Sequence, residues 1–114
     1  IKALKCNNCN LDNIDFIANF INLKKLNASF NKITQIPIVS NLEELDIYNN
    51  ELVEFPILIN LKKLYAFNNK LETMPFLPNL EIIETRALVV DVLPFVPETQ
   101  IIFLPLANSE IAFG

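Results

Sequence analysis

Two cysteines spaced as Cys6-Asn7-Asn8-Cys9 are the first residues in this 114-residue chain whose type and spacing suggest chemistry. CxxC is the spacing of zinc knuckles and of dithiol redox centres. A closed zinc site needs four donors, and the chain has no other cysteine and no histidine. The missing histidine also removes the commonest general base and the commonest nitrogen ligand. Asp12, Asp15, Asp46, Glu84, Asp91 and Glu98 are too dispersed to form a carboxylate pair in one pocket. Glu84 beside Arg86 reads as a surface ion pair rather than as a general acid. No nucleophile, base and orienting group can be named together, so neither an enzyme nor a metal or cofactor site is expected. Asn27-Ala28-Ser29 matches the glycosylation sequon, a three-residue pattern that is frequent by chance.

Composition narrows the choice further. Nine Lys and Arg against thirteen Asp and Glu give a net charge of -4 and an isoelectric point near 4.7. A duplex-binding module carries a basic face to neutralise phosphates, so nucleic acid is not an expected partner. Hydrophobic residues make up 52% of the chain. The longest uncharged run, Thr99 to Ser109, has eleven residues and is broken by Pro105, too short to span a bilayer. The chain starts at Ile1 rather than Met, which reads as a processed chain or an excised piece of a longer one, and the lack of a visible signal segment says little about compartment.

The elements that position these residues follow from an internal repeat. Asn22, Asn41, Asn60 and Asn79 are each 19 residues apart, as are Pro37, Pro56, Pro75 and Pro94. Each unit follows LxxLxLxxNxL. The second unit is Leu23, Leu26, Ala28, Asn31, Ile33; the third is Leu42, Leu45, Ile47, Asn50, Leu52; the fourth is Leu61, Leu64, Ala66, Asn69, Leu71. A degenerate fifth reads Leu80, Ile83, Thr85, Leu88, Val90, and a first reads Ile1, Leu4, Cys6, Cys9, Leu11. A sixth strand-like segment with Ile102 and Leu104 follows Thr99.

Apolar residues at positions 4 and 6 of a short strand point one way, and positions 3, 5 and 7 point the other. An asparagine at position 9 turns the chain, and its amide satisfies backbone groups of its own and adjoining units. Asn31, Asn50 and Asn69 are expected to stack as a structural ladder. The proline four residues after position 11 sets an extended, polyproline-like return. The eight residues left before the next unit are too few for a full helix. The longer first spacer, Asp12 to Asn22, places Ile14, Ile17 and Ile21 at helical spacing, with Asn13 as cap. In this register Cys6 and Cys9 face inward as core residues. No unit can bury its own apolar face, so stability must come from stacking on neighbours.

The pattern resembles the leucine-rich repeat family over nearly the whole chain. The resemblance implies an α/β solenoid, a right-handed superhelix. A parallel sheet of short strands forms its concave face, and extended, polyproline-like or 3-10 segments form its convex side. The expected organisation is one domain, 1–114, with repeats starting near 1, 23, 42, 61, 80 and 99 and an irregular C-terminal cap over about 92–114.

Function is sought on the positions that the repeat leaves free. Column 3 reads Ala3, Lys25, Glu44, Lys63, Ile82, Ile101, and column 5 reads Lys5, Asn27, Asp46, Tyr65, Glu84, Phe103. Column 7 reads Asn7, Ser29, Tyr48, Phe67, Arg86, Pro105. Charge alternates from unit to unit, Lys24-Lys25, Glu43-Glu44, Lys62-Lys63, Glu81, and again at Lys32, Glu51, Lys70. Such alternation neutralises itself across neighbouring strands and disfavours a slip of register. Tyr48, Tyr65 and Phe67, with Arg86 beside them and Phe103 two strands on, form an aromatic cluster on the open sheet. These residue types are enriched at binding hot spots. A protein partner suits a shallow sheet better than a small ligand does. Together with Asp46 and Glu84 they are the candidate partner-binding residues.

The ends read differently. The segment from Val92 to Gly114 is strongly apolar, and the mean hydropathy of +0.34 favours covering of the ends by a cap, a neighbouring domain or a second copy. MPFLPNLEII (Met74 to Ile83) and VLPFVPETQII (Val92 to Ile102) resemble the LPxLPxxLxxL repeats of bacterial secreted effectors, ubiquitin-ligase effectors among them. That resemblance implies recognition of a host protein or restraint of a separate catalytic domain. The second and third units depart from it in carrying one proline where that pattern has two. Three functions therefore compete: a protein-recognition module using the concave sheet, a self-associating structural spacer, and the substrate-selecting part of a larger enzyme.

Overall fold

The computed structural model describes residues 1–84 and 101–103. Six three-residue strands follow one another in sequence order: β1 (Ala3–Lys5), β2 (Lys25–Asn27), β3 (Glu44–Asp46), β4 (Lys63–Tyr65), β5 (Ile82–Glu84) and β6 (Ile101–Phe103). They form one parallel sheet in the order β1-β2-β3-β4-β5-β6. The repeat sets the register: Leu4 pairs with Leu26, Leu26 with Leu45, Leu45 with Leu64, and Leu64 with Ile83. This is a leucine-rich repeat solenoid, the architecture the 19-residue period predicts.

The interior is built of stacked columns. Leu23, Leu42 and Leu61 are fully buried, as are Leu45, Leu64 and Ile47. On the return path Ile36, Phe55 and Met74 form one buried column and Val39, Leu58 and Leu77 another. Each return ends in a turn closed by an i to i-3 bond: the N–H of Leu42, Leu61 and Leu80 donates to the carbonyl of Val39, Leu58 and Leu77, each at 3.1 Å. A single buried leucine at such a site contributes on the order of 2–5 kcal/mol, judged by Leu→Ala costs in other cores.

The first spacer holds a 3-10 turn, Asp15–Asn19. Its N-cap position is Ile14, and Asn13 acts one residue earlier, its Oδ1 accepting the Asp15 N–H at 3.2 Å. Ile14 and Ile17 are fully buried, but Ile21 is exposed. The turn ends at Asn19, so Ile21 leaves the helical face that its spacing had implied.

Asn31, Asn50 and Asn69 stand where each strand turns outward. The Asn50 Nδ2 donates to the carbonyls of Ala28, Ile47 and Tyr48 at 2.9, 3.0 and 3.2 Å, and its Oδ1 accepts the Ile33 N–H at 3.0 Å. Asn69 repeats this one unit later toward Ile47, Ala66 and Phe67, with its Oδ1 on the Leu52 N–H. Asn31 donates to Cys6, Ala28 and Ser29 and accepts from the N–H groups of Cys9 and Leu11. In each case one amide ties its own turn to the unit before it.

The residue before each of these asparagines is left-handed: Phe30 has φ 56°, Asn49 56° and Asn68 58°, with Asn8 at 55° in the first unit. Asparagine tolerates this region because its short side chain bonds locally. A phenylalanine there carries a Cβ clash that no local bond offsets.

Candidate functional site

Strand alternation divides the side chains as expected. Leu45 and Ile47 point into the core, while Glu44, Asp46 and Tyr48 lie half-exposed on the other face. Asp46 and Tyr65 are register partners on β3 and β4, and Glu84 of β5 aligns with Tyr65 on one side and Phe103 of β6 on the other. Arg86 and the expected cap lie outside the described residues, β6 excepted. Ser29 departs from its column, being buried, because its hydroxyl turns back to donate to the Asn27 Oδ1 at 2.7 Å. That bond also engages the amide of the Asn27 sequon.

Three aromatic rings meet at the edge of the sheet. Tyr48 and Phe67, neighbours in column 7, stack with ring centroids 4.5 Å apart and planes 10° apart. Phe30 joins edge-on to Tyr48, at 5.5 Å and 80°. Offset stacks and edge-to-face contacts are the arrangements that ring quadrupoles favour. Tyr48 and Phe67 are half-buried and Phe30 is exposed, so a three-unit aromatic strip remains open to contact.

The charge alternation resolves into ion pairs. Glu43 lies 3.4 Å from Lys24 and 4.0 Å from Lys62, while Glu44 lies 3.7 Å from Lys25 and 3.5 Å from Lys63. Glu51 and Lys70 form a further pair at 3.5 Å. Asp46 takes no part in this ladder among the described residues. Burial, and then the charge of Glu44, push its carboxyl above the ordinary value. A shallow hollow of about 430 Å³ opens beside it, lined by Ala3, Leu4, Lys5, Lys25, Leu26, Asn27, Glu44 and Asp46.

The cysteines require a correction. Cys6 is half-buried and packs against the core as expected, but Cys9 is exposed. Asn10, which follows it, is left-handed at φ 56°, as the equivalent Lys32, Glu51 and Lys70 are not, so the turn runs differently in this unit. The Cys9 thiol donates instead to the Asn7 carbonyl at 3.3 Å. Burial, and then Cys9, raise the Cys6 thiol above its usual value, the opposite of an activated thiolate. Among the described residues no three His, Cys, Asp or Glu side chains are grouped to hold a metal ion.

Three features escaped sequence reasoning. Phe30 belongs to the aromatic strip, and the signal was the asparagine at the same position in the first, third and fourth units. Asn41, Asn60 and Asn79 form a second ladder, their Nδ2 groups donating to the carbonyls of Ile21, Ser40 and Ile59 at 2.6, 2.7 and 2.6 Å. Their spacing was visible, but bonding across 20 residues has no local signature. Ile38, Ile57 and Phe76 form an exposed apolar column on the convex side, recognisable only once the return path is placed.

These features define a leucine-rich repeat fold, and repeat domains of this kind generally serve protein interaction. The family description Leucine Rich Repeat matches residues 41–59, the third unit. Among solved structures, YopM from Yersinia enterocolitica WA-314 superposes with a TM-score of 0.75 and 29% identity, covering 91% of this chain and 24% of that one. A Shigella effector leucine-rich repeat domain superposes with a TM-score of 0.73 and 24% identity, covering 91% of this chain and 49% of that one. The repeat domain thus resembles these two in fold, and it spans about a quarter of the first chain and half of the second. No curated protein sequence matches it. Among the described residues no helix is long and apolar enough to cross a membrane.

Proposed function

We propose that this solenoid recognises a partner protein on its concave sheet and acts by binding rather than by catalysis, as the recognition part of a secreted bacterial effector. The contact residues in this reading are Asp46, Tyr48, Tyr65, Phe67, Glu84, Arg86 and Phe103, with Phe30 added. The observation that carries it is the open strip formed by Phe30, Tyr48 and Phe67, since a large aromatic surface on an otherwise charge-paired face costs solubility unless a partner covers it. The test is affinity capture with the native chain and with a Tyr65→Glu/Phe67→Glu variant whose circular dichroism is unchanged. A protein retained by the first and lost by the second supports the reading, and equal capture rejects it.

Association through the ends is a second reading. It is favoured by the first unit, where Ile1 is exposed and Leu4, Cys6 and Leu11 are only partly covered. A monomer by light scattering at tens of micromolar rejects it.

A further inference from the structure

The lysine–glutamate ladder leaves Asp46 of the concave face outside it. Glu44 is held between Lys25 and Lys63. Asp46, two residues further along the same face, has Asn27 and Tyr65 as its in-register neighbours. Among the described residues no cation lies within ion-pair distance of it. A partly desolvated anion next to a second anion is destabilised until a positive group arrives, and the raised carboxyl of Asp46 agrees with that.

The surroundings of Asp46 suit one kind of positive group. Tyr48 stands two residues on, on the same face, with its ring stacked on Phe67. Tyr65 occupies the adjacent strand, roughly 4.8 Å away by sheet geometry. Aromatic faces attract cations through their quadrupole. On the other side the hollow lined by Asn27 and Glu44 leaves room for a long aliphatic stem. Lys25, which also lines it, is already engaged by Glu44 at 3.7 Å. Lys5 lies on β1, two strands from Asp46, so an incoming cation meets the carboxylate and the tyrosines before it meets that lysine.

Resting on the concave-face reading, we infer that Asp46 anchors an arginine of the partner protein, its guanidinium held between the Asp46 carboxylate and the ring of Tyr65. Arginine fits better than lysine because its planar fork bonds a carboxylate in two places while its face stacks on an aromatic ring. The specificity of the surface then comes from a charge that no lysine among the described residues pairs.

The test uses the whole chain and two probes, acetyl-Gly-Gly-Arg-Gly-Gly-amide and the same peptide with citrulline, which keeps the shape and removes the charge. In 1H–15N spectra the arginine peptide gives saturable shifts at the amides of Asp46, Tyr48 and Tyr65. The citrulline peptide, and the arginine peptide on Asp46→Asn, bind about tenfold more weakly or less, as loss of a charge-assisted bidentate contact requires. Glu51→Gln, which removes an exposed carboxylate elsewhere, leaves the shifts unchanged. Equal binding of the two peptides, shifts centred elsewhere, or full binding by Asp46→Asn overturns the inference. The capture experiment separates the two levels. Capture lost with Tyr65→Glu/Phe67→Glu but kept with Asp46→Asn removes the arginine anchor and leaves the surface standing. Capture unaffected by either removes the surface itself.

Discussion

Replacing Asn50 by alanine should unfold this solenoid more readily than the same change at Asn31, although Asn31 makes more hydrogen bonds. Asn50 makes four, three through Nδ2 and one through Oδ1, and is only 7% exposed. Asn31 makes five but lies half-exposed, three of them to the backbone of the first unit. Each intramolecular bond contributes a net of about 1 kcal/mol, and a buried group left without a partner costs about 1–3 kcal/mol. At Asn50 the Ile33 N–H would be stranded where water cannot reach, while the Ala28, Ile47 and Tyr48 carbonyls keep Asn31, Asn69 and the Phe30 N–H as donors, so the loss is about 2–4 kcal/mol. At Asn31 water replaces the bonds to Cys9 and Leu11, and the loss is about 1–2 kcal/mol. Urea unfolding monitored by circular dichroism measures both, and an unchanged slope shows that stability rather than cooperativity has moved. By the usual scaling the Asn50 variant melts on the order of 10–20 °C lower. An equal or larger cost at Asn31 would refute the idea that burial, rather than the number of bonds, sets the value of each rung.

Other outcomes follow from the same geometry. Asp46→Asn raises the melting temperature at pH 7, because a carboxyl whose folded pKa is raised costs stability once it ionises; the gain fades as pH falls below the carboxylate range, and thermal melts at pH 7 and pH 3 check it. Glu43→Lys/Glu44→Lys removes four ion pairs and lines up lysines on three strands, costing roughly 1–2 kcal/mol at low ionic strength; in 1 M salt, where screening acts over about 3 Å, most of that cost should vanish. Phe30→Asn raises stability by about 0.5–1 kcal/mol in urea titrations, because relief of the left-handed strain exceeds the loss of one edge-on ring contact at an exposed site.

The fold was legible because the 19-residue period constrains every column at once. A register error would have moved Leu26, Leu45 and Leu64 together out of the core, so three clean units suffice to place the strands. Charge alternation was readable for a similar reason, since residues 19 apart in sequence are neighbours in the sheet. The misreadings lie where the period carries no information. Cys9 occupies a column in which Asn50 is buried but Asn31 and Asn69 are only half-buried, so membership of the column does not fix burial. Ile21 was placed by helical spacing in a segment that makes only a short 3-10 turn. Phe30 was missed because column 8 is marked by a backbone requirement and not by polarity. Asn8, Asn49 and Asn68 express that requirement, and phenylalanine in the same place conceals it.

That concealment bears on function. Columns 4, 6 and 9 are given over to stacking, and columns 2 and 3 to a charge ladder that keeps the units in step. Columns 5 and 7 answer to neither demand, and there residue type changes at almost every unit: Lys5, Asn27, Asp46, Tyr65 in one, and Asn7, Ser29, Tyr48, Phe67 in the other. Phe30 adds a residue held at φ 56°, where asparagine would sit with less strain, and its exposed ring is turned edge-on to Tyr48. Backbone strain at a position with a better local alternative persists where something other than folding favours the side chain. The strain falls on the one ring that extends the aromatic strip from two units to three. The solenoid gives up a little stability at this edge and gains exposed aromatic surface there, the exchange expected if the proposed binding face includes Phe30.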